Sequence, residues 1–247
     1  MLSSSGIKDL PEVFYYDSIG STNGAAKAAP LGATRDGLYI AKSQSAGRGR
    51  LGRSFVSDEG GLYMTLRFER MLAPASATRA TVYTAVAVSR AVEGLTGISP
   101  KIKWVNDVLL GKKKLAGILC EGIVGDGGMI SVLAVGIGIN VLTVPSGEVG
   151  EIATALCEHT QECPDPITLA AAVTEQMYAM QNMRFSDVLN LYRERCAVFG
   201  KRVRVIKPTG EYFATAVEID DDGALVIKTD DGWTEHLTTG EVSVREL

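Results

Sequence analysis

Between Gln44 and Phe55 the chain reads QSAGRGRLGRSF, which sets Arg48, Arg50 and Arg53 among Gly47, Gly49 and Gly52. Arginine offers a planar fork of donors suited to phosphate and carboxylate oxygens, and glycine lets the backbone approach a ligand closely or take positive φ. Ordering a seven-residue loop of this kind costs roughly 7 to 14 kcal/mol at about 1 to 2 per residue, with little apolar burial to offset it. The segment is therefore expected to order over an anionic ligand. The competing reading is a solvated connection with an accidental basic run. Neither a Walker GxxxxGK[ST] loop nor a GxGxxG turn opening a helix fits this order of residues.

A second polar cluster runs from 101 to 114 and holds Lys101, Lys103, Asn106, Asp107, Lys112, Lys113 and Lys114. With Lys42 and the three loop arginines, nine of the 25 basic residues fall in 26 positions of a chain whose formal charge is −4. That concentration predicts a local anion site inside an acidic protein. Lys101 and Lys103 share one face if 101 to 104 is a strand. Lys112 and Lys113 read as solvated hairpin lysines, whereas Lys114 opens an apolar strand, where an inward amine would meet a buried ligand. By themselves Asn106 and Asp107 read as a turn, and Asn140, after GIGI, as a strand-end turn or a ligand-reading amide. His159 and His236 have no metal-ligand spacing around them and read as structural or exposed. With no GxSxG elbow, HExxH helix or Cys–His pairing, covalent side-chain catalysis and metalloenzyme chemistry lack positive support.

These residues need elements to hold them. STNGAAKAAP (21 to 30) predicts a short capped helix whose start could also bind a ligand. GLYIAKSQ (37 to 44) and GLYMTLRF (61 to 68) predict two strands joined by the glycine-rich connection. PASATRATVYTAVAVSRAVEGL (74 to 95) predicts the longest helix, with Val82, Ala85, Val86, Ser89 and Val92 on its buried face. KIKW (101 to 104), LAGILCE (115 to 121) and MISVLAVGIGINV (129 to 141) predict a meander whose turns, including NDVLLGKKK, carry the polar residues. The exposed edge of the 129 to 141 strand could pair with a second copy or pack internally. Helices are expected over 150 to 160 and 166 to 199, the second ended by Gly200. Beyond it RVRVI, EYFATAVEI, ALVIKT and WTEHL, with turns at 208 to 210, 221 to 223 and 230 to 232, predict a small β-barrel. The fold class is α+β, a mixed sheet backed by helices, with residues 1–199 as one domain and 200–247 as another.

At 247 residues and 46% hydrophobic composition, the chain can bury a substantial core, which argues against extended disorder. Cys120, Cys157, Cys163 and Cys196 match neither paired CxxC zinc ligation nor a dense disulfide framework, so a reducing cytoplasm is the expected compartment. The first residues, MLSSSGIKDLPEVFYYDS, lack a basic and apolar leader, and no apolar run reaches the roughly 18 to 20 residues of a membrane span.

Taken together, STN at 21 to 23, QSAGRGRLGR at 44 to 53, KWVND at 103 to 107, KKLAGILCE at 113 to 121 and GIGINV at 136 to 141 resemble the biotin protein ligases. The β-rich tail resembles their small SH3-like domain. The resemblance implies a catalytic domain of the class II aminoacyl-tRNA synthetase-like biotin/lipoate ligase fold. It also implies the activity: ATP and biotin form biotinyl-5′-AMP and pyrophosphate, and a lysine of a biotin carboxyl carrier protein then attacks the mixed anhydride. Magnesium would accompany ATP, held by phosphates and water, with no dedicated protein site. Ser21, Thr22, Asn23 and Gln44 would bind the ureido end of biotin. Arg48, Gly49 and Arg50 would close over its carboxylate and the adenylate phosphate, and Lys114 would sit at the reacting groups. Lys114, Arg48 and Arg50 are thus the implied catalytic cations. Gly47, Arg50, Asn106, Asp107 and Asn140 are implied at the nucleotide or the incoming lysine.

Only 20 residues precede Ser21, which fits the class without a DNA-binding domain. Leu51, Phe55 and Val105 depart from the residues most common in the family, but none of the three carries an assigned role. The competing functions are a lipoate or octanoate transferase, a sensor that retains biotin or its adenylate, and a nucleic-acid-binding module. Net acidity and the absence of a helix-turn-helix disfavour the last.

Overall fold

The computed structural model describes residues 10–207, 209–238 and 243–246. The expectation of no leader concerns, in part, residues 1–9, and the turn expected at 208 to 210 begins on Pro208; both lie outside the described residues. The chain order is β1 (Glu12–Ile19), α1 (Thr22–Ala28), β2 (Gly37–Gln44), β3 (Gly61–Leu72), α2 (Ser76–Thr96), β4 (Lys101–Lys103), β5 (Asp107–Leu110), β6 (Lys113–Val124) and β7 (Ile130–Asn140). There follow α3 (Val149–Ile152), α4 (Pro166–Met180), α5 (Phe185–Arg195), β8 (Arg202–Lys207), β9 (Gly210–Ile219), β10 (Leu225–Thr229), β11 (Thr234–Leu237) and β12 (Ser243–Glu246).

Seven strands form one mixed sheet in the order β1-β2-β3-β7-β6-β5-β4, with β1 parallel to β2 and every other pair antiparallel. One face is covered by α2, whose buried positions include Val82, Ala85, Val86, Ser89 and Val92, as their helical spacing requires. Gly97 ends α2 in the left-handed region at φ 73, its N–H returning to Glu93 O at 2.8 Å. The helix α4 packs on α2; Asp165 caps it by accepting from Ile167 N at 2.7 Å and Thr168 N at 3.3 Å, and Pro166 occupies its first turn. The opposite face receives α1, whose Ser21 cap accepts from Gly24 N at 3.4 Å. Arg67, buried on β3, pairs with Glu69 and donates to Ala29 O and Pro30 O, which fixes the end of α1.

Several expectations are corrected. β1 was not foreseen, although Phe14 and Tyr16 pack inward beside Tyr39 and α1. Part of the polar turn expected at NDVLLGKKK is strand β5, because Val108, Leu109 and Leu110 are buried; Asn106 before it and Gly111 and Lys112 after it remain in turns. The helix expected over 150 to 160 shrinks to α3 and a 3₁₀ turn at Leu156–Glu158. That expected over 166 to 199 is two helices, broken at 181 to 184, and Gly200 lies in a turn beyond α5 instead of capping it. The 129 to 141 strand has no free edge, since β7 lies between β3 and β6. Cys157 and Cys163, read as part of no dense disulfide framework and expected in a reducing compartment, are joined by a disulfide with Cα atoms 5.0 Å apart. The segment that holds them folds back on β7, Cys157 N donating to Val141 O at 3.0 Å.

After Gly200 the described residues form a separate five-stranded antiparallel sheet, β11-β10-β9-β8-β12. Trp104 Nε1 donates to Gly223 O at 3.1 Å and Arg193 Nε to Ile219 O at 2.9 Å, so this sheet is hydrogen-bonded to both the loop after β4 and α5. No described helix is long and apolar enough to cross a membrane.

Candidate active site

A cavity of about 980 Å³ opens on the α1 side of the large sheet. Its floor is glycine. Gly117 of β6 pairs with Gly138 of β7, and Gly136 lies two residues along the same face. A Cβ at Gly136 would stand 2.2 Å from Asn23 Oδ1, and one at Gly138 would stand 2.4 Å from the Phe55 ring. The missing side chains thus make a trough that seats Phe55 and Asn23, while Ile137 and Ile139 of β7 enter the core on the other face.

The arginine segment folds as a small hairpin above this trough. Arg48 bridges Ser54, Gly49 N donates to Arg53 O at 2.7 Å, and Phe55 N donates to Gly47 O at 2.9 Å. Its tip, Arg50–Gly52, places Leu51 at φ 57. Arg48, Gly49 and Arg50 line the cavity; Gly47 does not, but lies beneath the hairpin, where a Cβ would meet Phe55 O at 2.3 Å. Burial pulls the Arg50 guanidinium below its ordinary value, against the opposing charge of Asp107. Arg50 Nη1 donates to Asn106 Oδ1 at 3.2 Å. Lys114 Nζ pairs with Asp107 at 2.6 Å and lies 5.7 Å from the Phe55 ring centre. The structure thus brings Arg48 and Arg50 of the hairpin to one cavity with Lys114 of β6, 66 and 64 residues further along the chain.

Ser21, Thr22, Asn23 and Gln44 form the neutral end. Thr22 N donates to Gln44 Oε1 at 2.8 Å, and Gln44 Nε2 donates to Ser57 Oγ at 2.9 Å. The three asparagines share an unforeseen feature. Asn23 Nδ2 donates to Leu119 O, Asn106 Nδ2 to Ile118 O, and Asn140 Nδ2 to both Lys114 O and Thr154 O. All three side-chain amides therefore clip the backbone of β6, the strand that carries Lys114. Asn106 and Asn140 still line the cavity, and what their structure-facing bonds do first is fix that strand.

Sequence reasoning missed Thr65, Glu121 and Lys27. Thr65, fully buried on β3, lies 2.6 Å from Asn23 Oδ1; its signal was a threonine among the largely apolar residues of GLYMTLRF. Glu121 accepts from Asn23 Nδ2 at 2.8 Å and Lys27 Nζ at 2.5 Å. Burial pushes the Glu121 carboxyl up, but the hydrogen bonds from Lys27 and Asn23 and the charges of Lys27 and Arg48 outweigh it, leaving it below its ordinary 4.5. At the opposite end Lys101, Lys103, Lys112 and Lys201 line the cavity, Lys112 as the exposed hairpin-turn lysine expected. Val149 and Ile152 of α3 also line it with exposed apolar side chains. Cys120 takes no part in this chemistry; burial raises its thiol to about 12. Among the described residues no group of three His, Cys, Asp or Glu is placed to hold a metal.

This geometry meets its match in known proteins. Residues 17–140 match the Biotin/lipoate A/B protein ligase family, and residues 198–245 match the Biotin protein ligase C terminal domain. A biotin–[acetyl-CoA-carboxylase] ligase from Paracoccus denitrificans is 32% identical over 218 residues, covering 84% of this chain and 90% of that protein. The chain belongs to the biotin protein ligase family. Biotin protein ligase from Aquifex aeolicus, solved in complex with biotin and ATP, superposes with TM-score 0.79 at 26% identity, over 96% of this ligase and 100% of that chain. The bifunctional ligase/repressor BirA of Bacillus subtilis is 32% identical over 233 residues, which are 89% of this ligase and 70% of the repressor. The family assignment gives the small antiparallel sheet its identity as the ligase C-terminal domain.

Proposed function

We propose that this ligase condenses biotin with ATP to give biotinyl-5′-AMP and then passes the biotinyl group to a lysine of a biotin carboxyl carrier protein. The observation that carries the reading is a single cavity with a neutral hydrogen-bonding end at Thr22 and Gln44 and three cations, Arg48, Arg50 and Lys114, beyond it. A cyclic urea suits the first and a carboxylate meeting a phosphate suits the second. The volume of about 980 Å³ is at the upper end of the roughly 300 to 1,000 Å³ of small-molecule sites, as two joined substrates require.

In the first step a biotin carboxylate oxygen bonds to the α-phosphorus, and the bond from that phosphorus to the bridging oxygen of pyrophosphate breaks. Both partners are anions. Arg48, Arg50 and Lys114 lower the repulsion between them, and once the hairpin has closed over the ligand little reorganisation is needed as charge moves. Exposed Val149 and Ile152 supply an apolar wall for the adenine, and the lysines at the far end favour departing pyrophosphate. Magnesium enters as the counter-ion of the triphosphate, part of the substrate and held by phosphate oxygens and water. In the second step the carrier amine bonds to the acyl carbon, AMP leaves with the bridging oxygen, and Asp107, beside Lys114, takes the proton of the attacking amine. We place the domain boundary at 199/200 and the reaction in the cytoplasm, where carrier domains and ATP meet.

Biotin-dependent exchange of labelled pyrophosphate into ATP tests the first step, and transfer of labelled biotin to a purified carrier domain tests the second. Exchange with carrier labelling is expected. Biotin binding without either reaction would overturn the ligase reading in favour of a sensor.

A further inference from the structure

Behind the neutral end of the cavity four side chains stand in file. Glu121 Oε2 and Leu119 O both accept from Asn23 Nδ2, at 2.8 and 3.2 Å. Asn23 Oδ1 lies 2.6 Å from Thr65 Oγ1, which lies 2.8 Å from Thr22 Oγ1. Thr65, Thr22 and Asn23 are all buried, so solvent competes little for the contacts among these three, while Glu121 is partly exposed.

Counting protons gives this file one direction. A carboxylate and a backbone carbonyl only accept, so the Asn23 amide turns its nitrogen to them and its oxygen to Thr65. Flipping it would set an oxygen against two acceptors. An amide oxygen cannot donate, so the single Thr65 hydroxyl proton goes to Asn23. The 2.8 Å contact between the two hydroxyls then takes the proton of Thr22. Gln44 Oε1 keeps a second lone pair but lies farther from that hydroxyl than Thr65 does, at 3.1 Å, and takes its shorter bond from Thr22 N at 2.8 Å. Gln44 is oriented from its other side as well: Ser57 Oγ spends its proton on Phe55 O at 2.9 Å and so accepts from Gln44 Nε2 at 2.9 Å.

We propose that Glu121 is a positioning residue for ligand selection. It anchors a relay in which Thr22 donates to Thr65, Thr65 to Asn23 and Asn23 to Glu121, so that Thr22 Oγ1 can only accept from an N–H of the ligand's cyclic urea. Lys27 keeps the anchor in place at 2.5 Å. This rests on the reading of the site as one for biotin, and adds to it the residue that sets the polarity of the wall.

The test compares the affinity of biotin with that of an isosteric analogue whose two ureido N–H groups are replaced by ring oxygens, measured by calorimetry on the full chain. In Glu121→Gln the new amide can donate as well as accept, so Leu119 O alone holds the Asn23 amide against flipping and the direction of the relay is weakened. We expect biotin to bind about tenfold more weakly and its advantage over the analogue to fall about tenfold, with the KM for ATP unchanged. Thr65→Val, which cuts the relay at its middle, should lower the same advantage, and Thr65→Ser should restore it; this pair decides the matter if Glu121→Gln does not fold. Folded Glu121→Gln or Thr65→Val proteins that keep the unaltered preference for biotin over the analogue would overturn the relay while leaving the ligase reading standing. Failure of the unaltered chain to bind biotin would overturn both.

Discussion

Replacing Lys114 with alanine should separate chemistry from folding. Its ammonium pairs with Asp107 at 2.6 Å, but the two side chains are 32% and 24% exposed. A pair that wet contributes about 0 to 1 kcal/mol, screened further by salt. Its loss should therefore move the melting temperature by no more than roughly 2 to 4 °C in a chain of this size. The reacting state differs in kind. A unit charge pair about 4 Å apart is worth about 4 kcal/mol at an effective dielectric near 20, and Lys114 faces two anions being pressed together. At about 1.4 kcal/mol per decade that is up to about a thousandfold in rate. Arg50, also beside Asp107, still supplies a cation in the variant, so we expect adenylate formation to slow by about 10² to 10³. The assay is single-turnover formation of biotinyl-5′-AMP with both substrates saturating, alongside a thermal melt. A rate within tenfold of the unaltered enzyme, in a variant that melts normally, would remove Lys114 from the reacting centre.

Gly136→Ala should cost about 1 to 3 kcal/mol in urea unfolding and abolish biotin binding, because its Cβ would stand 2.2 Å from an Asn23 oxygen that cannot turn away; unaltered binding would contradict the trough. Trypsin should cut at exposed Arg48 or Arg53 and be slowed by biotin plus ATP, with equal digestion in both states counting against closure of the hairpin over the ligand. Glu121 has a folded pKa below 4.5, so the stability it contributes is complete at neutral pH and lost as pH falls through that folded value. Urea midpoints should accordingly fall less between pH 6 and pH 3 in Glu121→Gln, and parallel pH profiles would refute the assignment. Asn140→Asp sets a carboxyl against Lys114 O and Thr154 O and should lose about 1 to 3 kcal/mol at neutral pH; an unchanged urea midpoint with a raised KM for ATP would make Asn140 a nucleotide reader instead of a clip.

The cationic half of the site was legible in the sequence because glycine-flanked arginines have few structural uses, and a lysine opening an apolar strand has few tolerable places to point. The neutral half was only partly legible. Thr22 and Gln44 announced themselves through a cap and a motif, whereas Thr65 and Glu121 sit in β3 and β6, where alternation reports which face a residue takes but not which partner it meets across the sheet. The same limit explains the fold errors. Phe14 and Tyr16 of β1 alternate with exposed Val13 and Tyr15, so mean hydropathy there is unremarkable although one face is packed. Asp107 looked like a turn residue and became the first residue of β5, because three apolar residues after it could be buried only by pairing with β6. The helical composition of 150 to 160 yielded to tertiary contacts: Thr154 N bonds to Lys114 O and Cys157 N to Val141 O, which pull the segment onto the strands.

Those contacts also bear on how the site is held ready. The cations lie on two supports with different strengths. Lys114 rides on a strand whose backbone carbonyls are clipped by Asn23 at 119, Asn106 at 118 and Asn140 at 114, and Thr154 N adds a second bond at 114. Arg48 and Arg50 ride on a hairpin whose apolar foothold is Phe55 in the glycine trough, with Asn106 reaching up to Arg50. A ligand arriving at the cavity therefore meets one cation carried by the sheet and two carried by the hairpin. Asn106 joins the two supports, since its nitrogen holds β6 while its oxygen holds Arg50. The asparagine of KWVND thus does its work through geometry: it makes the position of Arg50 depend on the strand that carries Lys114.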